Sequence, residues 1–547
     1  MKKIISLILA LTMLLSLLAL AGCQLIPGGE PDGGDGTTDG DGGEVALPSL
    51  LDPTDDNYRT FYQIFVGSFS DNNRDGIGDL RGIINRMDYL NDGDINNGND
   101  LGVQGLWLSP IFSSPSYHKY DVKDYYKIDW RFGTMDDLKE LADLCEERNV
   151  KLILDLVLNH TSSQNEWFLQ FKESRMKGDT ENKYYDYYTC VTAAEMVAGR
   201  TYNKIAGVDA YYEINFSGDM PELDFDNPEV REEMLNVAKY YIDLGIDGFR
   251  FDAVKYIYYG DADACIEFWD WFMSELRAYK PDIYCVGECW SGEGEILDYY
   301  SAMDCFNFAM SGAEGYAAMA GKGKPLATFL NYIESYQDKV QGTREGAMPM
   351  QFLSNHDQDR IAGAFILPDS MKMAASLYLL TPGSHFIYYG EEIGIRGSRG
   401  SANTDANRRL AMLWGDGDLI KNPEGSTYKK EYQIDSTVSD QLSDENSILA
   451  HYQKVINVRT KYPAIARGEY NVITGTSGNL GGFYVEYKGE ILGILHNNSS
   501  QPITMDLTKL RGLDGHSLTE ILEVIGYNAT LEGTTLTIDG YTSIILK

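Results

Sequence analysis

The sequence predicts an α/β fold: a (β/α)8 barrel with one long insertion, followed by an antiparallel β domain. Three observations predict it. Eight short apolar segments, spread over about 350 residues, alternate with segments of helical period. Polar and acidic residues recur where those segments end. That suits a barrel delivering its strand ends to one face, and argues against a doubly wound sheet. After the helical stretch near Ile448–Thr460 the pattern changes to short alternating strands.

The chain has 547 residues, enough for two to four units. It opens with a processing signal rather than with fold. Lys2 and Lys3 precede the apolar run Ile4–Leu20, and Leu20-Ala21-Gly22-Cys23 resembles a bacterial lipoprotein cleavage site. Cys23 is therefore the expected lipidated residue, and the expected location is extracytoplasmic and membrane-anchored. Gly28–Gly43 is rich in Gly and Asp with no aromatic residue, which reads as a flexible tether. The expected division is a leader over 1–22, a tether over 23–50, a barrel over 51–160 and 221–462, an insertion over 161–220, and a C-terminal β-sandwich over 463–547.

The barrel elements follow in order. Tyr62–Phe69 reads as a strand, Asp79–Leu90 as a helix, and Gly105–Ile111 as the second strand. Asp136–Arg148 reads as a helix with Leu138, Leu141 and Leu144 on its apolar side. Lys151–Leu158 is the third strand. Pro228–Leu244 is a helix with proline first and acids in its first turn, as helix N-termini prefer. Ile246–Phe251, Ile283–Gly287, Cys305–Ala309, Pro349–Leu353 and Phe386–Tyr389 complete the eight strands. From Thr161 to about Pro221 no strand–helix pair of the regular type occurs, so this Tyr-, Asn- and Asp-rich stretch is an insertion after the third strand. Gly481–Tyr487, Ile491–Asn497 and Thr535–Leu546 read as strands of the C-terminal domain.

The net charge of −36 excludes nucleic acid as a partner, since phosphates demand Lys and Arg. Beyond Cys23, six cysteines remain: Cys145, Cys190, Cys265, Cys285, Cys289 and Cys305. Export permits disulfides. Most of the six sit in apolar helix or strand patterns, which favours buried thiols.

Four strand ends carry the chemistry. The third ends Asp155-Leu156-Val157-Leu158-Asn159-His160. The fourth runs Gly248-Phe249-Arg250-Phe251-Asp252-Ala253-Val254-Lys255. The fifth ends Gly287-Glu288-Cys289-Trp290, and the seventh Ser354-Asn355-His356-Asp357. Arg250 and Asp252 are two residues apart and point the same way in a strand. Alone, that pair reads equally as a structural ion pair and as an oriented nucleophile. Strand-end Asp and Asn often make local turns, and a lone His is more often a satisfied side chain than a ligand. Four such endings in one register are not explained by turn chemistry, and in a barrel they converge on one face.

In order and spacing these stretches resemble the signature regions of the α-amylase family, glycoside hydrolase family 13, from about Tyr58 to the C-terminus. The resemblance implies a TIM barrel with an inserted domain B after strand three, a C-terminal antiparallel β-sandwich, and retaining cleavage of α-glucosidic bonds. It implies Asp252 as nucleophile, Glu288 as general acid/base and Asp357 as the third carboxylate. Arg250 matches the arginine supporting the nucleophile, and His160 and His356 match histidines that bond sugar hydroxyls. Tyr117-His118-Lys119-Tyr120-Asp121 resembles the segment that places Tyr120 and His118 on the sugar, with Lys119 where a Gly is common. Lys255 and, from Asp405-Ala406-Asn407-Arg408-Arg409, Arg408 are further expected substrate contacts. Retention needs two carboxyl groups about 5–5.5 Å apart, one ionised and one protonated. Arg250 is expected to lower the pKa of Asp252, and the neighbouring negative charges to raise that of Glu288.

Asp71-Asn72-Asn73-Arg74-Asp75-Gly76-Ile77-Gly78-Asp79 places oxygen donors at alternate positions, with Gly82 where an EF-hand needs Glu. By resemblance it matches the family's calcium loop after strand one, which implies Ca2+ held by Asp71, Asn73, Asp75, Asp79 and the Ile77 carbonyl. The other reading is an array of Asx turns. A second family calcium site would use Asn159 with ligands from the insertion. Met220-Pro221-Glu222-Leu223-Asp224 resembles the fifth region, nearer the form of neopullulanases and the intermediate amylase group. The expected function is thus an endo-acting α-amylase on starch or malto-oligosaccharides, acting as a monomer and touching membrane only through its anchor. The rivals are a 4-α-glucanotransferase, an α-glucosidase or neopullulanase-like enzyme, and a non-catalytic glucan-binding lipoprotein.

Overall fold

Parallel strands covered on both faces must be apolar throughout. Lys151–Leu156 shows the consequence: every residue is buried, including the carboxylate of Asp155. The computed structural model describes residues 57–94, 97–476 and 478–547. The leader, the tether and Cys23 lie outside the described residues.

Eight strands build the barrel: β1 Thr60–Ile64, β2 Gly105–Leu108, β3 Lys151–Leu156, β4 Gly248–Phe251, β5 Tyr284–Gly287, β6 Asp304–Cys305, β7 Met350–Phe352 and β8 Ser384–Tyr388. Their order in the sheet is β6-β5-β4-β3-β2-β1-β8-β7, with every pair parallel. The ring closes where Phe306 bridges Met350, supported by Asn307 N–H donating to the Met350 carbonyl at 2.8 Å.

Alternation sends every second side chain inward. Phe61, Trp107, Ile153, Tyr284, Val286, Phe306, Met350, Phe352 and Phe386 fill the interior as one cluster. Phe61 stacks on Phe386 at 5.0 Å, and Phe306 meets Phe386 edge-on at 4.9 Å. Gly105 makes room for this: a Cβ there would lie 2.3 Å from the Phe61 ring. Outside the ring, helices start on capping residues that satisfy their first N–H groups. Thr134 and Asp137 form a capping box for Met135–Glu147, and Asn227 caps Pro228–Asp243.

Several elements differ from the sequence reading. β1 ends at Ile64, and Val66–Ser68 is a 3-10 turn. The helix expected over Asp79–Leu90 is two short ones, Leu80–Ile84 and Met87–Leu90. Gly82, inside the first of them, packs against the Ser70 backbone: a Cβ there would sit 2.0 Å from the Ser70 carbonyl oxygen. β6 is two residues long rather than five. Thr535–Leu546 is two strands joined by a turn in which Tyr541 takes φ 52°.

Between 161 and 220 lie the helix Glu166–Lys177 and a three-stranded antiparallel sheet of Cys190–Val191, Tyr211–Glu213 and Tyr202–Lys204. Bridges from His160 to Glu222 and from Tyr188 to Leu223 tie this segment to the end of β3. The C-terminal strands are β9 Glu469–Ile473, β10 Leu480–Tyr487, β11 Glu490–Asn497, β12 Ile503–Asp506, β13 Ile521–Ile525, β14 Ala529–Glu532, β15 Thr535–Ile538 and β16 Thr542–Leu546. They form a five-stranded sheet, β9-β10-β11-β16-β13, and a three-stranded sheet, β12-β15-β14. Ile473, Leu495, Leu536 and Ile544 belong to the separate apolar core of this sandwich. Asn498 Nδ2 fastens it to the barrel by donating to the carbonyls of Ala320 and Lys324 at 2.7 and 2.8 Å. All six cysteines among the described residues are free, and all but Cys190 are buried. No helix among those residues is long and apolar enough to cross a membrane.

The interior stack sets a stability prediction. Phe386→Ala leaves a cavity against Phe61 and Phe306 and is expected to cost about 3–5 kcal/mol. Urea unfolding checks it, and a loss below about 1 kcal/mol would show that the interior collapses around the gap.

Candidate active site

Register decides which side chains meet in the barrel mouth. Asp155 of β3 pairs with Arg250 of β4, and Arg250 pairs with Val286 of β5. Asp252 stands two residues beyond Arg250, and Glu288 two beyond Val286, on the same side. Arg250 is fully buried among them. Its Nη1 donates to Asp155 Oδ1 and to Asp252 Oδ1, both at 2.7 Å. Its Nη2 lies 2.9 Å from Glu288 Oε1. One guanidinium therefore joins three carboxylates, and it sets Asp252 and Glu288 side by side. Ala253 adopts the left-handed region at φ 50°, a strained position for a side chain with a Cβ. That turn points its N–H at Glu288 Oε2, 3.3 Å away.

The electrostatics follow from burial. Burial pushes the Asp252 carboxyl above its ordinary range, and Arg250 opposes this only in part. Arg250 lowers Asp252 as expected, but desolvation is the larger effect and the net shift is upward. Glu288 is also pushed up, first by burial, then by the charges of Asp252 and Asp357 against the pull of Arg250. A carboxyl that keeps its proton is what a general acid needs. Asp357 goes the other way. Against the effect of burial, His356 and Arg409 hold it well below the usual carboxylate range.

Asp357 is locked by a chain of bonds. Arg409 Nη2 donates to its Oδ1 at 2.7 Å, and His356 Nε2 lies 2.9 Å from Oδ2. Burial lowers the pKa of His356. Gln63 Nε2 donates to its Nδ1 at 2.7 Å, so Nε2 carries a ring proton, and Nε2 faces both the Tyr120 hydroxyl at 2.5 Å and Asp357. Tyr120 stacks on the same ring at 5.4 Å and 6°, and its hydroxyl donates to Asp155 Oδ2 at 2.9 Å. Trp107 Nε1 reaches the same oxygen at 3.3 Å. Asp155 thereby joins the Arg250 cluster to the Tyr120–His356–Asp357 cluster.

A cleft of about 710 Å³ opens over these groups. Asp252, Glu288, Asp357, His118, Tyr120, His160, Lys255 and Arg408 all line it. Burial lowers His118 and His160 to about 4, so both rings are neutral. His160 Nε2 makes no hydrogen bond within the protein. Lys255 Nζ donates to the Trp290 carbonyl at 2.8 Å. Arg250 and His356 do not line the cleft; they lie beneath its floor and position the acids. Arg408 is occupied by Asp359 at 2.7 Å and Asp405 at 3.0 Å, and it donates to the Asp357 backbone carbonyl. Its neighbour Arg409 is the one that binds the Asp357 carboxylate. Sequence reading could not separate two adjacent arginines. It also passed over Asp155, although a charge among the apolar residues of a buried strand, in line with Arg250, is a usable signal.

Lys119 does occupy a position that suits glycine, with φ 69°. Its ammonium is buried 3.0 Å from Asp129 and donates to the Ser116 carbonyl at 2.6 Å, which holds the strained turn. Burial lowers its pKa to about 8.

The Asp71–Asp79 loop is wound by Asx turns. Asp71 accepts from the N–H groups of Arg74 and Gly76 at 2.6 and 2.7 Å. Asn73 accepts from Asp75 N–H, and Asp75 from Ile77 N–H. Asp79 caps the next helix through Gly82 N–H. Among the described residues no three His, Cys, Asp or Glu side chains converge as a metal site. Asn159 turns its amide N–H₂ to Glu222, fastening the insertion to β3.

A barrel with paired carboxylates on one guanidinium is the arrangement a retaining glycoside hydrolase needs. A model of the α-amylase catalytic domain matches residues 63–468. "Alpha-amylase 3" of Dictyoglomus thermophilum is 37% identical over 445 residues, covering 80% of this chain and 84% of the relative. A "4-alpha-glucanotransferase" of Thermotoga maritima is 29% identical, covering 82% and 98%. The solved structure of Eubacterium rectale Amy13B superposes with a TM-score of 0.81 at 32% identity, covering 90% of this chain and 96% of that one. The chain belongs to the α-amylase family, glycoside hydrolase family 13, and is an α-glucoside hydrolase.

Asp155→Asn keeps the size of the side chain but turns an N–H₂ toward Tyr120 and Trp107 or toward Arg250. Breaking a buried charge-assisted bond costs about 1–3 kcal/mol, so kcat/KM is expected to fall about 10–100-fold while the thermal midpoint shows a folded protein. Wild-type kcat/KM in that variant would make Asp155 a bystander.

Proposed function

We propose that the protein is an endo-acting α-amylase that cuts α-1,4-glucosidic bonds of starch and maltodextrins with retention. The observation carrying this is the Arg250 guanidinium joining Asp252 to Glu288. It supports two carboxyl groups held side by side, as retaining cleavage needs. Asp252 attacks C1 of the sugar as Glu288 gives its proton to the leaving oxygen. Glu288, now ionised, then takes a proton from the water that releases the glucosyl–Asp252 ester. Asp357, fixed by Arg409 and His356, and the unpartnered Nε2 of His160 are placed to bond sugar hydroxyls. Tyr120 offers a ring face held rigid by His356. The α-amylase of Dictyoglomus thermophilum supports the substrate class.

Asp252→Asn is expected to abolish turnover while starch binding persists. Glu288→Gln should lower kcat on starch about 10²–10⁴-fold, yet spare the first release of fluoride from α-maltotriosyl fluoride, whose leaving group needs no proton, and slow the later turnovers that need Glu288 as base. Retained starch hydrolysis in the Asp252 variant would overturn the assignment.

We also propose that Asp71, Asn73, Asp75, Asp79 and the Ile77 carbonyl hold a calcium ion. Every donor is a hard oxygen, and the Asx-turn bonds leave each carboxylate lone pairs to offer. The ion would brace the loop between β1 and Leu80–Ile84. A hundredfold excess of calcium over its Kd contributes about 2.7 kcal/mol. The unfolding midpoint of chelator-treated protein should therefore rise with calcium, and Asp71→Asn should remove the rise. A midpoint indifferent to calcium would leave the loop to its Asx turns alone. Lipidation at Cys23 would hold this enzyme, tethered, outside the cytoplasm.

A further inference from the structure

The loop after β2 sends Tyr117, His118 and Tyr120 into the cleft. Two of them also touch the groups that hold the acids. Arg409, which binds the Asp357 carboxylate, donates from Nη1 to the Tyr117 hydroxyl at 3.1 Å. The Tyr120 hydroxyl donates to Asp155 at 2.9 Å, and its ring lies on His356. The loop is therefore coupled to both carboxylate clusters, and its position matters to each.

Lys119 lies between His118 and Tyr120, yet it does not line the cleft and is only 1% exposed. Its φ of 69° strains any residue with a Cβ. The side chain offsets this by making contacts that glycine could not. Its Nζ lies 3.0 Å from Asp129 Oδ2, donates to the Ser116 carbonyl at 2.6 Å and sits 5.2 Å from the centre of the Phe132 ring. The Lys119 N–H donates to Ser116 Oγ at 3.0 Å.

Asp129 is anchored independently of the loop. Its N–H donates to the Ile111 carbonyl at 2.9 Å, and Arg131 grips its carboxylate from Nε and Nη2 at 2.8 and 3.0 Å. Lys119 thus ties a cleft-lining loop to a fixed point on the chain beyond the hairpin strand Asp124–Ile128. A buried ion pair adds little net stability, because desolvation offsets its attraction. What it supplies here is position.

We propose that Lys119 is a positioning residue for the attack on the sugar: bonded to Asp129, its ammonium holds Tyr117 and Tyr120 where they support Arg409, Asp155 and His356. This rests on the proposed roles of Asp252 and Glu288. The charged groups facing Lys119 are Asp129, Asp121 and Arg131, with His118 neutral beside them. Burial lowers the Lys119 pKa to about 8 against the pull of Asp129. Above that pH the ion pair is lost, Asp129 keeps Arg131, and the loop keeps only its bonds to Ser116.

Starch cleavage does not isolate this effect, because ionisation of Glu288 slows it as well. Release of fluoride from α-maltotriosyl fluoride in a single turnover needs no proton from Glu288 and reads the attack alone. Its rate in the wild type should fall as pH rises from about 7 to about 10, through the Lys119 pKa. Lys119→Gly, which relieves the strained φ, and Lys119→Met, which keeps the length without the charge, should each be about 10–100-fold slower at about pH 7, the scale of a small misplacement. Both should have lost the alkaline fall. A glycine variant as fast as the wild type overturns the role of Lys119. So does a wild-type rate that stays flat with pH, or a fall that survives in both variants. No fluoride release from the wild type overturns Asp252 as nucleophile, and Lys119 with it.

Discussion

The site depends on one buried cation. Arg250 has no contact with solvent, and three carboxylates close around it. Removing one partner from such a cluster costs about 3–5 kcal/mol, because the others are left with uncompensated charge. The arrangement is therefore poor as a stabilising device and good as a positioning device. It fixes Asp252, Glu288 and Asp155 around a single guanidinium plane rooted in β4. The plane rests on the ring of Trp107, which lies 5.3 Å from the guanidinium. Interior packing of the barrel thus sets the height at which the acids meet the cleft.

Three carboxylates on one cation leave excess negative charge in a dry place, and the protein divides the consequence unequally. Asp357 escapes by having its own arginine, Arg409, with His356 beside it. Asp252 and Glu288 share Arg250 with Asp155, and burial pushes both upward. The acids therefore differ in proton affinity through their partners rather than through their residue type. Asp155 is the member that links the two clusters, because its two oxygens serve Arg250 on one side and Tyr120 with Trp107 on the other.

Much of this was legible in the sequence. Strand ends bearing Asp155 to His160, Arg250 to Asp252, Glu288 and Asp357 carried the barrel and its mouth, since apolar runs and polar ends are local signals. What was not legible depended on distance in space. The sign of the Asp252 shift needed the depth of burial, which the Arg250–Asp252 spacing does not contain. Arg408 and Arg409 are equivalent in sequence and opposite in the fold. The break between Leu80–Ile84 and Met87–Leu90 is a difference no helical period reveals. His356 was expected at the sugar and Arg250 beside the nucleophile; both are fully buried and neither lines the cleft.

The shortest strand gives the barrel a seam. Seven neighbouring pairs zip through regular ladders, whereas β6 and β7 meet only through the Phe306–Met350 bridge and its adjoining bonds. Opening free energies vary across a fold, and the least cooperative unit opens first. Here that unit separates Phe308, beyond β6, from Asp357, beyond β7. Breathing at the seam would part Phe308 from Asp357 while Arg250 keeps Asp252 and Glu288 in place.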